Sequence, residues 1–105
     1  MSARRARFNV GQIVSHRRAG YRGVVYDVDP TFSLDDAWYN EMARSRPPKD
    51  KPWYSVLVDG GEHTTYVAER HLERSDDDTD IQNPLVEDLF AELRDGSYVP
   101  RDRHN

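Results

Sequence analysis

From Val10 to Pro30 the chain reads Val-Gly-Gln-Ile-Val-Ser-His-Arg-Arg-Ala-Gly-Tyr-Arg-Gly-Val-Val-Tyr-Asp-Val-Asp-Pro: a strand, a tight glycine-rich turn, and a second strand closed by proline. Ile13 and Val14 form a short β-prone run, and Gly20 and Gly23 bracket Tyr21 and Arg22. Beyond the turn the pattern has period two, with Val24, Tyr26 and Val28 on one face and Val25, Asp27 and Asp29 on the other. Valine and tyrosine suit a pleated, half-buried surface, whereas the aspartates need a face that meets water. Pro30 has no N–H to give a ladder and ends the strand. The result is a β-hairpin that every later segment must either pair with or cover.

The later segments supply strands. Trp53 to Asp59 is β-prone and places Val56 and Val58 in the core beside Val24, Tyr26 and Val28. Asp59-Gly60-Gly61-Glu62 is a hairpin turn, and His63 to Val67 is the return strand. Ala68 to Leu72 reads as one helical turn leading into a last short strand near Leu72–Arg74. Five short strands joined by tight turns imply a mainly β fold, a small closed or nearly closed barrel. Between the second and third strands, Leu34, Trp38 and Met42 recur every four residues and predict a short inserted helix docked by that stripe. Ser33 and Asp36 have capping-box spacing at its start. Ser45 to Pro52 contains three prolines and is a connection.

The barrel domain is expected over residues 8–74, followed at 75–105 by an acidic linker, a short helix and a tail. Ser75 to Asp80 lacks the glycine and distal glutamate of a calcium loop and reads as a solvated spacer. Asn83-Pro84 supplies an N-cap and a first-turn proline; Leu85, Leu89 and Leu93 form a helical stripe, and Gly96 is placed to end a helix of about ten residues. The end, from Ser97 on, is expected to be loose or to lie across a surface.

One domain is all that 105 residues can hold. No window approaches the length and apolarity of a membrane span, and the arginine-rich first ten residues lack the apolar run of a secretory signal, so a cytoplasmic protein is expected. With no cysteine there is no disulfide, thiol catalysis or cysteine-held zinc. His16, His63, His71 and His104 have no zinc-pair spacing, so no metal is expected. Asp27 and Asp29 share a strand face at roughly the separation of a glycosidase pair, but no cleft is implied. No phosphate loop, nucleophile elbow or dinucleotide fingerprint occurs, which argues against an enzyme.

The net charge of −4 is unevenly spread. Residues 1–30 carry six arginines (Arg4, Arg5, Arg7, Arg17, Arg18 and Arg22) against two aspartates, while the remaining 75 residues carry nine basic and 17 acidic side chains. Such a split suits one face that binds a polyanion, or simply two soluble ends. Two binding surfaces follow. Arg17, Arg18 and Arg22 with Tyr21 form a hairpin tip whose guanidinium forks match phosphate oxygens. Trp38, Tyr39, Trp53, Tyr54, Tyr66 and Phe90 form an aromatic set that mostly fills core or subunit contact, any exposed remainder suiting protein partners.

Gly11-Gln-Ile-Val14, Gly20 to Pro30, Pro52-Trp-Tyr54 with Val56 to Asp59, and Thr65 to Glu69 with Leu72 occur in an order that resembles the YccV-like, hemimethylated-DNA-binding family over about residues 8–74. Ser55 stands where that pattern has histidine, and Arg70-His71 replaces a more acidic-amide pair. The length suits the short bacterial heat-shock members. The resemblance implies an SH3-like barrel, a homo-oligomer (a trimer), and no catalysis or cofactor. It also implies two activities: binding of hemimethylated DNA, linked to turnover of the replication initiator DnaA, and modulation of the ATP-dependent protease Lon as a specificity-enhancing factor. Of the two, the protein-interaction role is the better match. A DNA binder of this net charge depends on one arginine face, and a single tyrosine is thin equipment for reading a methyl group. An adaptor that binds Lon or its substrates needs only a rigid body and an accessible, somewhat loose peptide surface, which the acidic linker and C-terminal tail supply.

Overall fold

A computed structural model describes residues 6–101. Arg4, Arg5 and His104 lie outside the described residues. The strands β1 (Ile13–His16), β2 (Arg22–Asp29), β3 (Trp53–Val58), β4 (Thr64–Ala68) and β5 (Leu72–Arg74) form one antiparallel sheet in the order β4-β3-β2-β1-β5. A single 3-10 turn, Glu69–His71, links β4 to β5. The two edge strands do not pair with each other, so the sheet, expected to form a closed or nearly closed barrel, is not closed. It is nevertheless strongly curled. Val67 from one edge and Leu72 from the other enter the same buried cluster with Val14, Val25, Tyr54 and Val56.

The opposite face is also buried. Ile13, Val24 and Leu57 pack under Ile81, Phe90 and Tyr98 from the C-terminal segment. The predicted solvent face of β2 is therefore absent over its first half: Val24 and Val25 are both buried, one in each cluster. A bulge at Tyr26, the unpaired residue between Val25↔Val56 and Asp27↔Ser55, then reverses the alternation. Tyr26 stays with Val24, but Val28 crosses to the face of Val25. Of the five expected core residues, Val24, Val56 and Val58 are buried, and Tyr26 and Val28 are half-buried.

The inserted helix α1 (Asp36–Met42) forms, with a different cap and a different face. Asp35 is the N-cap, its Oδ1 accepting from the Trp38 N–H at 2.9 Å, while the Ser33 hydroxyl donates to Asp29 at 2.6 Å and takes no part in a capping box. Tyr39 and Ala43 face the sheet, packing with Trp53 and Ala68, whereas Leu34 and Met42 are exposed. The Tyr39 hydroxyl donates to Pro47 O at 2.6 Å, satisfying a buried polar atom.

The C-terminal segment departs furthest from expectation. In place of a helix of about ten residues there is one helical turn, α2 (Val86–Leu89), then a hairpin of β6 (Phe90–Arg94) and β7 (Ser97–Pro100). Its two-residue turn, Asp95-Gly96, has φ of +53° and +79°. Positive φ at both central positions matches the right-handed twist of the flanking strands, and Asp-Gly is the sequence that tolerates it. The segment 75–80, expected to be a free spacer, is tied to the sheet by Arg22. Residues on either side of Arg74 share one core, which joins the segments expected to be separate.

Buried Asn83 anchors this layer, its amide donating to Val58 O at 2.9 Å and its Oδ1 accepting from the Leu85 N–H. The Tyr98 hydroxyl accepts from the buried Ile81 N–H at 2.8 Å. Tyr98→Phe leaves that donor without a partner and is expected to lower stability by about 1–2 kcal/mol. Urea unfolding followed by circular dichroism checks this, the slope m staying unchanged.

Candidate functional site

The β1–β2 turn is built by a histidine. His16 Nδ1 accepts from the Arg18 N–H at 3.1 Å and the Ala19 N–H at 3.0 Å, and Gly20 closes the turn at φ +81°. Because Nδ1 is an acceptor, the neutral ring carries its proton on Nε2. The four residues expected at this tip part company. Arg17 lies back on β5, its Nε donating to Leu72 O at 3.2 Å and its Nη1 standing 3.7 Å from Glu73. Arg18 is exposed. Tyr21 turns inward, its hydroxyl 2.7 Å from Thr65 Oγ1.

Arg22 leaves the tip altogether. Nη1 donates to the carbonyls of Asp77 and Thr79 at 2.8 and 2.9 Å, and Nη2 to Asp80 O and Asp59 Oδ2 at 3.0 and 3.1 Å. The side chain is 16% exposed and its donor fork is turned to the protein, so it is a structural clamp. Of the four residues expected at this tip, Arg17 and Arg18 are exposed, while the Tyr21 hydroxyl and the Arg22 guanidinium are bonded within the fold.

A groove of about 560 Å³ opens beside the tip, between β4 and the end of α1 with its following loop. All five residues of β4 line it, together with Trp38, Met42, Arg44, Ser45, Trp53 and, at the mouth, His16, Arg18, Tyr21 and His71. Aromatic rings stiffen one wall. Trp53 and Tyr66 stack with centroids 5.2 Å apart, and Trp38 stands nearly perpendicular to both, at 6.1 and 5.7 Å. The Tyr66 hydroxyl donates to Asp29 Oδ2 at 2.7 Å and accepts from the Ser33 N–H at 3.1 Å. Burial raises the Tyr66 phenol above its ordinary value, so it remains a neutral donor to Asp29. Of the Asp27–Asp29 pair, Asp29 is engaged in these bonds, and Asp27 accepts from the next residue's N–H. Within the aromatic set, Tyr39, Trp53, Tyr54 and Phe90 are buried; Trp38 and Tyr66 are half-buried and face the groove.

At the mouth, the His16 and His71 rings stack at 5.6 Å with 10° between planes, and His71 Nε2 lies 2.7 Å from Ser45 Oγ. Both are held below the ordinary imidazole pKa. Burial is the main cause for each; Arg18 adds to it for His16, and His16, Arg70 and Arg18 for His71. The native state therefore binds these protons less readily than the unfolded chain does. Stability from the pair is complete above about pH 6.5 and falls as pH drops below that value through the lowered native pKa values. Imidazole NMR titrations are expected to give both midpoints below 6.5, and a midpoint at or above it for either ring contradicts this.

The edge position of β4, and the meeting of Arg44, Ser45 and His71 across it, are properties of topology that no local pattern announces. Among the described residues no group of three or more His, Asp or Glu is placed to hold a metal, and no helix is long and apolar enough to cross a membrane. A sequence model of the family described as "Hemimethylated DNA-binding protein YccV like" matches residues 6–97. That span includes the whole five-stranded sheet and continues through β6 to the first residue of β7. The chain belongs to the YccV-like family.

Proposed function

We propose that this protein is a non-enzymatic, cytoplasmic adaptor of the short heat-shock type, for which HspQ is the bacterial example, and that it modulates degradation by the ATP-dependent protease Lon as a specificity-enhancing factor. One contrast supports this reading. Arg22, one of the cations a polyanion would need, is engaged inside the fold, and Arg17, although exposed, is bonded to β5, while an aromatic-walled groove stands open beside them. The adaptor would bind Lon or its substrates, working as a homo-oligomer, a trimer by family resemblance. Degradation of an unfolded substrate by purified Lon, with and without this protein, tests it. A changed rate or substrate preference at stoichiometric amounts is expected, and an unchanged rate at every ratio removes the reading.

The family description favours a second reading, binding of hemimethylated DNA. It would rest on Arg18 with Arg17, a small phosphate footprint, so the logarithm of affinity should fall with the logarithm of salt at a slope of about −2. Equal affinity for hemimethylated and unmethylated duplexes, unchanged by Arg17→Ala and Arg18→Ala, removes it.

A further inference from the structure

The occupant of the groove can be named from the backbone that borders it; this inference rests on the protein-docking reading above. β4 is an edge strand. Its ladder to β3 is fixed in phase by the Val58 N–H donating to His63 O at one end and the Glu69 N–H donating to Pro52 O at the other. In an antiparallel pair, hydrogen-bonded positions alternate, so Thr65 and Val67 turn their backbone groups toward β3. Thr64 and Tyr66 turn theirs outward. Their N–H and C=O groups have no other partner among the described residues. The groove takes in this row: it is lined by five consecutive residues of β4, whose side chains alternate between faces, and it reaches inward to Trp53 and Ser55 of β3 and Tyr26 of β2.

Charge defines what can enter. Arg18 and Arg44 line the groove as cations and no aspartate or glutamate does, in a chain with 19 acidic residues and a net charge of −4. Met42, 61% exposed, adds an apolar wall opposite the strand. We propose that the free edge of β4 takes up an extended segment of a partner polypeptide as an added strand, with apolar side chains toward Met42 and Trp38 and acidic ones toward Arg18 and Arg44. Main-chain hydrogen bonds supply sequence-tolerant affinity, and the pockets and cations select among segments. Unfolded chains present such segments and folded ones do not.

The test is fluorescence anisotropy with a labelled peptide of about ten residues, matching one strand and its flanks, in which valine or phenylalanine alternates with glutamate. Saturable binding is expected. Methylation of alternate peptide nitrogens, which removes the donors that pair with a strand edge, is expected to weaken it at least about tenfold, as is exchange of glutamate for lysine. Arg18→Glu with Arg44→Glu, both at exposed positions, is expected to do the same without lowering the melting temperature. Thr64→Pro removes an outward donor and leaves the ladder to β3 intact, giving a second probe of the edge. Undiminished binding of the methylated peptide overturns the proposal. So does the absence of saturable binding by any peptide, or its displacement by an oligothymidylate of equal length that binds more tightly. Lon is absent from this assay, so the two readings fail separately. Peptide binding without an effect on proteolysis sinks the adaptor role alone, and an effect on proteolysis that survives loss of peptide binding sinks this one alone.

Discussion

Gly11→Ala is expected to be the most destabilising single substitution at a backbone turn, costing about 3–4 kcal/mol. Gly11 sits at φ +96°, a conformation closed to side chains with a Cβ. It also lies where three layers of backbone meet: its N–H donates to Val25 O at 2.7 Å, and its carbonyl accepts from the Tyr98 N–H at 2.8 Å. An added Cβ would fall well within van der Waals contact distance of the Tyr98 carbonyl oxygen, with the carbonyl carbon only 3.1 Å away. Neither backbone can yield without withdrawing β7 from the sheet and opening the cluster of Ile13, Val24, Leu57, Phe90 and Tyr98. For a domain of this size the loss corresponds to a fall of roughly 15–25 °C in melting temperature. A loss under about 1 kcal/mol would show that the C-terminal hairpin is not held through Gly11.

Arg22→Ala is expected to cost about 2 kcal/mol, the loss of several charge-assisted hydrogen bonds partly replaced by water. Arg22→Lys should recover less than half of that, because an ammonium cannot span the carbonyls of Asp77, Thr79 and Asp80 with the Asp59 carboxylate as a planar fork does. Hydrogen exchange localises the effect. Faster exchange at Gln82 and Gly60, whose N–H groups donate to Asp59 Oδ1 and Gln82 O, is the expected signature. A variant of unchanged stability but weakened DNA binding would instead return Arg22 to the role its place beside Tyr21 suggested.

Arg22 also shows where sequence reasoning stops. Its neighbours in the chain are Tyr21 and the tip arginines, but a strand residue's environment is set by whichever segments cross it, and here those lie 55 to 58 residues away. Local features were legible. The β1–β2 and β3–β4 hairpins, the 3-10 turn and β5 stand where glycine turns and period-two runs place them. The bulge at Tyr26 was not, since alternation carries no mark of a skipped partner, and it sent Val28 to the face opposite Val24. In α1, the four-residue spacing of Leu34, Trp38 and Met42 was real, but the helix begins only after the Asp35 cap, which leaves Leu34 outside it and gives the buried side to Tyr39 and Ala43.

The C-terminal hairpin carried its own signal. Asp95-Gly96 lies between Leu93 and Tyr98, and Asp-Gly flanked by such residues marks a two-residue turn. The competing stripe of Leu85, Leu89 and Leu93 does face the core, with Leu89 in the helical turn and Leu93 on a strand. An i, i+4 spacing counts apolar contacts and cannot tell which backbone delivers them.

The groove along β4 is the centre of this account, and an amide NMR titration tests it most directly. Added peptide of alternating valine and glutamate is expected to shift the Thr64 and Tyr66 amides most, with Arg44 and His71 next, and to leave Arg22 unmoved. Peptide that leaves Thr64 and Tyr66 unshifted, together with a hemimethylated duplex that shifts Arg17, Arg18 and Tyr21 at the same protein concentration, would contradict it.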